Sequence, residues 1–159
     1  MTAARRDGDA RAPDDDALWR AYRATRFEAV VDDASAPIAI RVGECCARLD
    51  ALLDAHGVAE WVYVTAWNPH SAPLADDDNA RRNAELAAEL DHFAAARFAG
   101  FGRGADASWK PEASFLALGV DDERGVDLGR RFGQNAIVAG RRGEPARLVD
   151  CRVPRDREL

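Results

Sequence analysis

The stretch Trp61-Val62-Tyr63-Val64-Thr65-Ala66, then Trp67-Asn68-Pro69-His70-Ser71, then Asp76-Asp77-Asp78-Asn79, decides how this chain is read. Aromatic and β-branched residues fill its opening, and such side chains fit a pleated, covered surface, so 61–66 is predicted as a strand. Asn68-Pro69 then starts a turn inside a polar loop. The three aspartates mark a helix N-terminus, where carboxylates meet unpaired N–H groups and the positive end of the dipole. The helix they open is expected to run to about His92.

Working outward, Leu49, Leu52 and Leu53 recur at helical spacing within 44–55, and Gly57 stops that helix as a left-handed C-cap. The runs 27–31 and 38–42, parted by Asp32, Asp33, Ser35 and Pro37, predict a hairpin. Asp14, Asp15 and Asp16 precede the stripe Leu18, Ala21 and Tyr22, which predicts a further helix. On the C-terminal side, 96–101 and 114–120 read as strands flanking a Gly-rich loop. Asp121 or Asp122 caps a helix ending at Phe132 and Gly133, and 136–139 and 146–149 are the closing strands. Strands alternating with helices predict an α/β (α+β-like) single domain: a mixed β-sheet of about six or seven strands covered by three or four helices. Residues 1–14 are expected as a mobile charged tail, 15–151 as the domain, and 152–159 as a polar tail.

Composition narrows the function classes. A chain of 159 residues buries enough surface for a self-sufficient core, and 47% hydrophobic with 31% charged residues is a globular balance. The net charge of -6 and a pI near 5.1 disfavour nucleic acid and anionic membranes as partners. No apolar run approaches the ~18 residues of a membrane span, and the charged opening is no signal peptide, so a cytoplasmic location is expected. Cys45, Cys46 and Cys151 imply no disulfide framework and read as small buried thiols, while His56, His70 and His92 are scattered without metal-ligand spacing. No metal and no cofactor is implied.

One constellation carries chemical content. At about 100° per residue, Asn79 and Asn83 project along the same line as the core-facing Leu86 and Leu90, with Arg82 at its edge. Buried amides must find partners, so the preceding loop, ordered water or a ligand waits there. Thr65, Asn68 and Ser71 belong to that loop, which leaves the carboxyl end of a strand, a place where α/β sheets bind ligands. Arg82 offers a fork-shaped donor for carboxylate or phosphate. The three aspartates read as caps rather than metal ligands. Gly100-Phe101-Gly102-Arg103-Gly104 lacks a following helix and so matches neither a dinucleotide fingerprint nor a P-loop; a flexible loop is the expectation.

Thr65-Ala66-Trp67-Asn68-Pro69 with Ser71, Asn79, Arg82 and Asn83 resembles the family catalogued as domain of unknown function 3293. So do Trp109, Glu112 and Ser114, and the run Leu128-Gly129-Arg130-Arg131-Phe132-Gly133-Gln134-Asn135-Ala136. The resemblance spans about 18–149 and implies a small bacterial protein of one domain, with no activity attached.

Two readings follow. In the first, the chain binds a small anionic metabolite or nucleotide in a polar pocket walled by the 65–71 loop, the start of the 78–92 helix, Arg103, Glu112, Ser114 and the Gln134-Asn135 turn. Glu112, at a strand entrance, is the candidate general base for hydrolysis or group transfer, with Arg82 as anion clamp. In the second, the chain is a non-enzymatic interaction module or homo-oligomer anchored by Trp61, Trp67, Trp109 and Phe101, and the asparagines brace the loop. Ser71 and Ser114 have no histidine placed to activate them, which argues against nucleophilic catalysis.

Overall fold

The computed structural model describes residues 13–105 and 110–152, with side chains from Asp16 onward. Trp109 and most of each expected tail, 1–12 and 153–159, lie outside the described residues. The elements run α1 (Pro13–Ala24), β1 (Arg26–Ala29), β2 (Ile38–Ile40), α2 (Ala47–His56), β3 (Glu60–Val64), α3 (Asp76–Asp91), β4 (Ala96–Arg103), β5 (Glu112–Leu118), α4 (Asp122–Arg131), β6 (Ala136–Arg141) and β7 (Arg147–Asp150). Local chemistry sets their ends. Gly57 takes φ 67 and closes α2. The Asp121 carboxylate accepts from the Arg124 N–H at 2.9 Å and opens α4.

Seven strands form one sheet in the order β2-β1-β4-β5-β3-β6-β7. The α/β single domain, its strand number and its four helices agree with the sequence reading. The expected mixed pairing does not: every neighbouring pair of strands is antiparallel, and the parallel contact is an isolated bridge, Val42 with Ala146. The reason lies in the crossovers. β3-α3-β4 skips the position that β5 fills, and β5-α4-β6 skips the position that β3 fills. Strands joined through a helix are thus parallel to each other but never adjacent. This is the split β-α-β-β-α-β arrangement, extended by the β1–β2 hairpin on one side and β7 on the other.

Both faces of the sheet are covered, which explains why 61–64 is apolar without alternation. Trp61 and Tyr63 point to one face with Phe27, Ile40, Leu116 and Leu118, where Leu49 and Leu53 of α2 close the cluster. Ile38, near one edge, and Ala146, near the other, share that cluster, so the sheet curls around α2. Hydrogen bonds from Gly43 N to Ala146 O (2.8 Å) and from Ala146 N to Glu44 O (3.0 Å) tie the two margins together. Val62 and Val64 point to the other face, beneath Leu86 and Leu90 of α3 and Leu128 of α4. The C-terminal end of β3 and the N-terminal ends of β5 and β6 therefore gather at one end of the sheet, next to the start of α3.

Candidate functional site

The start of α3 is polar on its buried side, as the helical period implies. Asn79 is 1% exposed and Asn83 6%, in line with the fully buried Leu86 and Leu90. Asn83 accepts from the Ala66 N–H at 2.9 Å and donates to the Ala113 carbonyl at 2.8 Å. Asn79 accepts from the Asn68 N–H at 2.8 Å and donates to the Asn68 side-chain oxygen at 2.8 Å and the Leu74 carbonyl at 3.3 Å. Arg82 donates through Nε to the Ala66 carbonyl at 3.0 Å and through a terminal nitrogen to the Phe132 carbonyl. Its Nε and one terminal nitrogen are thus engaged with the backbone.

These bonds hold a loop that no regular structure would hold. Asn68, His70 and Ser71 have φ of 46°, 55° and 58°, the three non-glycine residues with positive φ among the described residues. For L-residues that backbone costs on the order of 1–3 kcal/mol each, least for asparagine, and persists only where the surroundings over-determine it. Here they do. The His70 N–H donates to the Gly133 carbonyl at 2.7 Å, the Gln134 amide to the Trp67 carbonyl at 3.1 Å, and the Asn135 amide to the Ser71 hydroxyl at 3.1 Å. Thr65 donates to the Ala113 carbonyl at 2.7 Å and accepts from the Trp67 N–H at 3.0 Å. Gly133, at φ 69, comes so close to Pro69 that a β-carbon would sit 2.9 Å from its ring.

Glu112 stands at the mouth of this network, half-buried at the first residue of β5. Burial raises its carboxyl above the usual range, and a hydrogen bond from Asn68 pulls the other way. That bond is long, 3.4 Å, and no cation pairs with Glu112 among the described residues. Beside it lies a cleft of about 400 Å³ lined by Trp67, Asn68, Leu74 and Glu112, with Asp76 and Lys110 at its rim, 3.8 Å apart.

A residue that the sequence reading missed joins the group. The pKa of Tyr22 of α1 is raised by burial, against the pull of the nearby Asn135 and Ser71 side chains and with a smaller push from the charge of Glu112. Its place on the stripe with Leu18 and Ala21 marked it only as packing; the signal was its hydroxyl, which needs a partner when covered.

Thr65, Asn68, Ser71, Asn79, Arg82, Asn83, Glu112, Gln134 and Asn135 thus meet at one end of the sheet. Two expected members do not join them. Arg103 ends β4 and donates to the Glu28 carboxylate at 2.9 Å, sharing it with Arg26. Ser114 is 4% exposed, donates to the Glu112 carbonyl at 3.0 Å and lies near Tyr63 on the sheet face toward α2. The expected Gly-rich loop is largely strand: β4 continues through Gly100 and Gly102, which lie against β1. Of the three thiols expected to be buried, Cys151 is, with its pKa pushed up to about 11 chiefly by desolvation, whereas Cys46 is half-buried and Cys45 exposed. A larger groove, about 650 Å³, lies between α3 and α4 beside Phe93, Arg124 and Arg131. Its arginines are engaged, Arg131 with Glu89 and Arg124 over the Phe93 ring, and no half-buried acid or base faces it.

No curated protein and no solved structure matches the chain. The segment 64–137, which runs from the end of β3 through α3, β4, β5 and α4 to the Gln134-Asn135 turn, matches the family model described as protein of unknown function (DUF3293), and it is this family that the chain resembles.

Proposed function

We propose that the chain binds a small polar metabolite in the cleft beside Glu112, with that carboxylate accepting a hydrogen bond, or a proton, from the ligand. The observation that carries this reading is the state of Glu112: half-buried, raised in pKa and, among the described residues, without a cationic partner and held by one long bond to a neutral amide. Structural carboxylates in folded proteins are usually paired; a desolvated one facing a cleft is a functional signature. An anionic group on the same ligand would meet Lys110, which lines the cleft, whereas Arg82 does not and turns its Nε and one terminal nitrogen to the backbone. The strained 68–71 backbone beside the cleft fits this assignment, because such strain gathers at ligand sites.

A thermal-shift screen against nucleotides, sugar phosphates, amino acids and amines tests it. A ligand at 100 times its dissociation constant adds about 2.7 kcal/mol. At about 2–4 °C per kcal/mol for a domain of this size, the melting temperature rises by about 5–11 °C. Glu112→Gln should abolish that shift while the fold is kept. A ligand shift that survives in Glu112→Gln removes the carboxylate from the site.

A further inference from the structure

We propose, resting on the ligand-site reading above, that what the Glu112 cleft receives is a cationic nitrogen: an organic ammonium carried on an apolar stem. Charge decides the sign. Of the two carboxylate oxygens of Glu112, Oε1 accepts from Asn68 Nδ2 at 3.4 Å and Oε2 accepts from no described residue. A carboxylate offers about four lone-pair sites, so most of its capacity is unused. The cation that lines the cleft, Lys110, stands at the rim with its side chain 88% exposed, 3.8 Å from Asp76, which is itself 73% exposed. These two charges offset each other in solvent, so the cleft keeps one uncompensated charge, that of Glu112. An anionic group set against it adds a like charge. A neutral donor fills a lone pair and leaves the charge as it was. A cationic nitrogen supplies the donor and the missing charge together, and such bonds are roughly twice as strong as neutral ones.

The lining decides the stem. Leu74 is 38% exposed, one of three large hydrophobic side chains left exposed among the described residues, and Trp67 and Pro73 line the cleft with it. Such a wall suits a hydrocarbon or aromatic stem, and an aromatic side chain beside an anion adds attraction for a cation. A metal ion fits worse, because among the described residues no three His, Cys, Asp or Glu side chains are grouped to hold one. The cleft, at about 400 Å³, has the size of a small-molecule site.

NMR titration of the full chain tests the proposal with three probes of similar shape: phenethylamine, phenethyl alcohol and hydrocinnamate. Two groups report the cleft directly: the Asn68 side-chain amide, whose bond to Glu112 the probe displaces, and the Leu74 N–H, held on the Asn68 oxygen at 3.0 Å. Phenethylamine should move both signals to saturation and bind about 10- to 150-fold more tightly than the alcohol, the equivalent of one hydrogen bond to a charged group. Hydrocinnamate should bind no better than the alcohol. Glu112→Gln should erase the amine's advantage. Asp33→Asn removes the same unit of charge from the exposed β1–β2 connection and should leave that advantage intact, which separates a site from the general pull of an acidic chain on a cation. Should Glu112→Gln fail to fold, the ranking of the three probes on the parent chain still decides. Alcohol or hydrocinnamate binding as tightly as the amine, and lost in Glu112→Gln, overturns the cation and leaves the ligand site standing. Equal losses in Asp33→Asn and Glu112→Gln, or signals that phenethylamine does not move, overturn the cation as well. Amine binding that persists unchanged in Glu112→Gln overturns both the cation and the site.

Discussion

Asn83→Ala separates bracing from ligand contact, and the structure sets its size. The substitution strips the Ala66 N–H of its acceptor at a position that is fully buried. The Ala113 carbonyl loses the Asn83 amide but keeps the Thr65 hydroxyl at 2.7 Å, so one orphaned group remains rather than two. An unsatisfied buried donor costs about 1–3 kcal/mol. The void left by the missing amide adds on the order of 0.5–1 kcal/mol. Together these predict a loss of about 1.5–4 kcal/mol, or about 3–16 °C in melting temperature at about 2–4 °C per kcal/mol. Urea denaturation followed by tryptophan fluorescence should show a lower midpoint with an unchanged slope. An amide held in reserve for a ligand would behave otherwise, with binding lost and melting unmoved. A shift below about 2 °C would refute the bracing argument at this residue.

Two further outcomes follow from the structure. Because burial raises the folded-state pKa of Glu112, its contribution to stability is greatest in acid and falls as pH rises from the unfolded value through the raised one. Glu112→Gln should therefore flatten the pH dependence of melting between acid and neutral pH, with melting at pH 7 equal to or above that of the parent chain. A parent Glu112 resonance that titrates at or below the ordinary glutamate range would contradict this. Gly129→Ala puts a β-carbon 2.5 Å from the Cys151 sulfur and 3.2 Å from Ile137, so α4 must back away from the sheet, at about 1–3 kcal/mol. Adding Cys151→Ala should recover part of that loss, and full additivity of the two changes would mean that the clash is relieved elsewhere.

How far the sequence could be read depended on whether a feature was local. Gly57, Asp121 and Gly133 punctuate their helices through backbone conformation and capping, which their immediate neighbours determine. The inward direction of Asn79 and Asn83 is likewise a matter of helical period. Strand order is not local: whether β5 or β4 lies beside β3 depends on which strand fills the place a crossover skips, and strand–helix alternation looks the same in either case. Gly100 and Gly102 misled for a related reason. They resemble loop glycines, yet Gly100 lies so close to the Glu28 carbonyl that no side chain could fit, and that contact is visible only once β1 is paired with β4. Periodicity could bury two asparagines but could not name their partners. Tyr22, Gln134 and Asn135 converge on the 67–71 loop from elements distant in the chain, so their roles emerge only with the fold.

Bracing and binding need not compete at this site. The Asn68 carboxamide divides its capacity: its oxygen accepts from Leu74 N–H at 3.0 Å and from Asn79 at 2.8 Å, and its nitrogen reaches Glu112 at 3.4 Å. The first two bonds hold Asn68 in the left-handed backbone that turns the loop; the third is the weakest in the network. A ligand that approaches Glu112 from the cleft must displace only that third bond. The struts at Asn79 and Asn83 then keep the carboxylate's surroundings in place while its partner changes. In the proposed ligand reading the buried amides would act on binding indirectly: they brace the loop so that exchanging one weak bond for a ligand would leave the rest of the fold undisturbed.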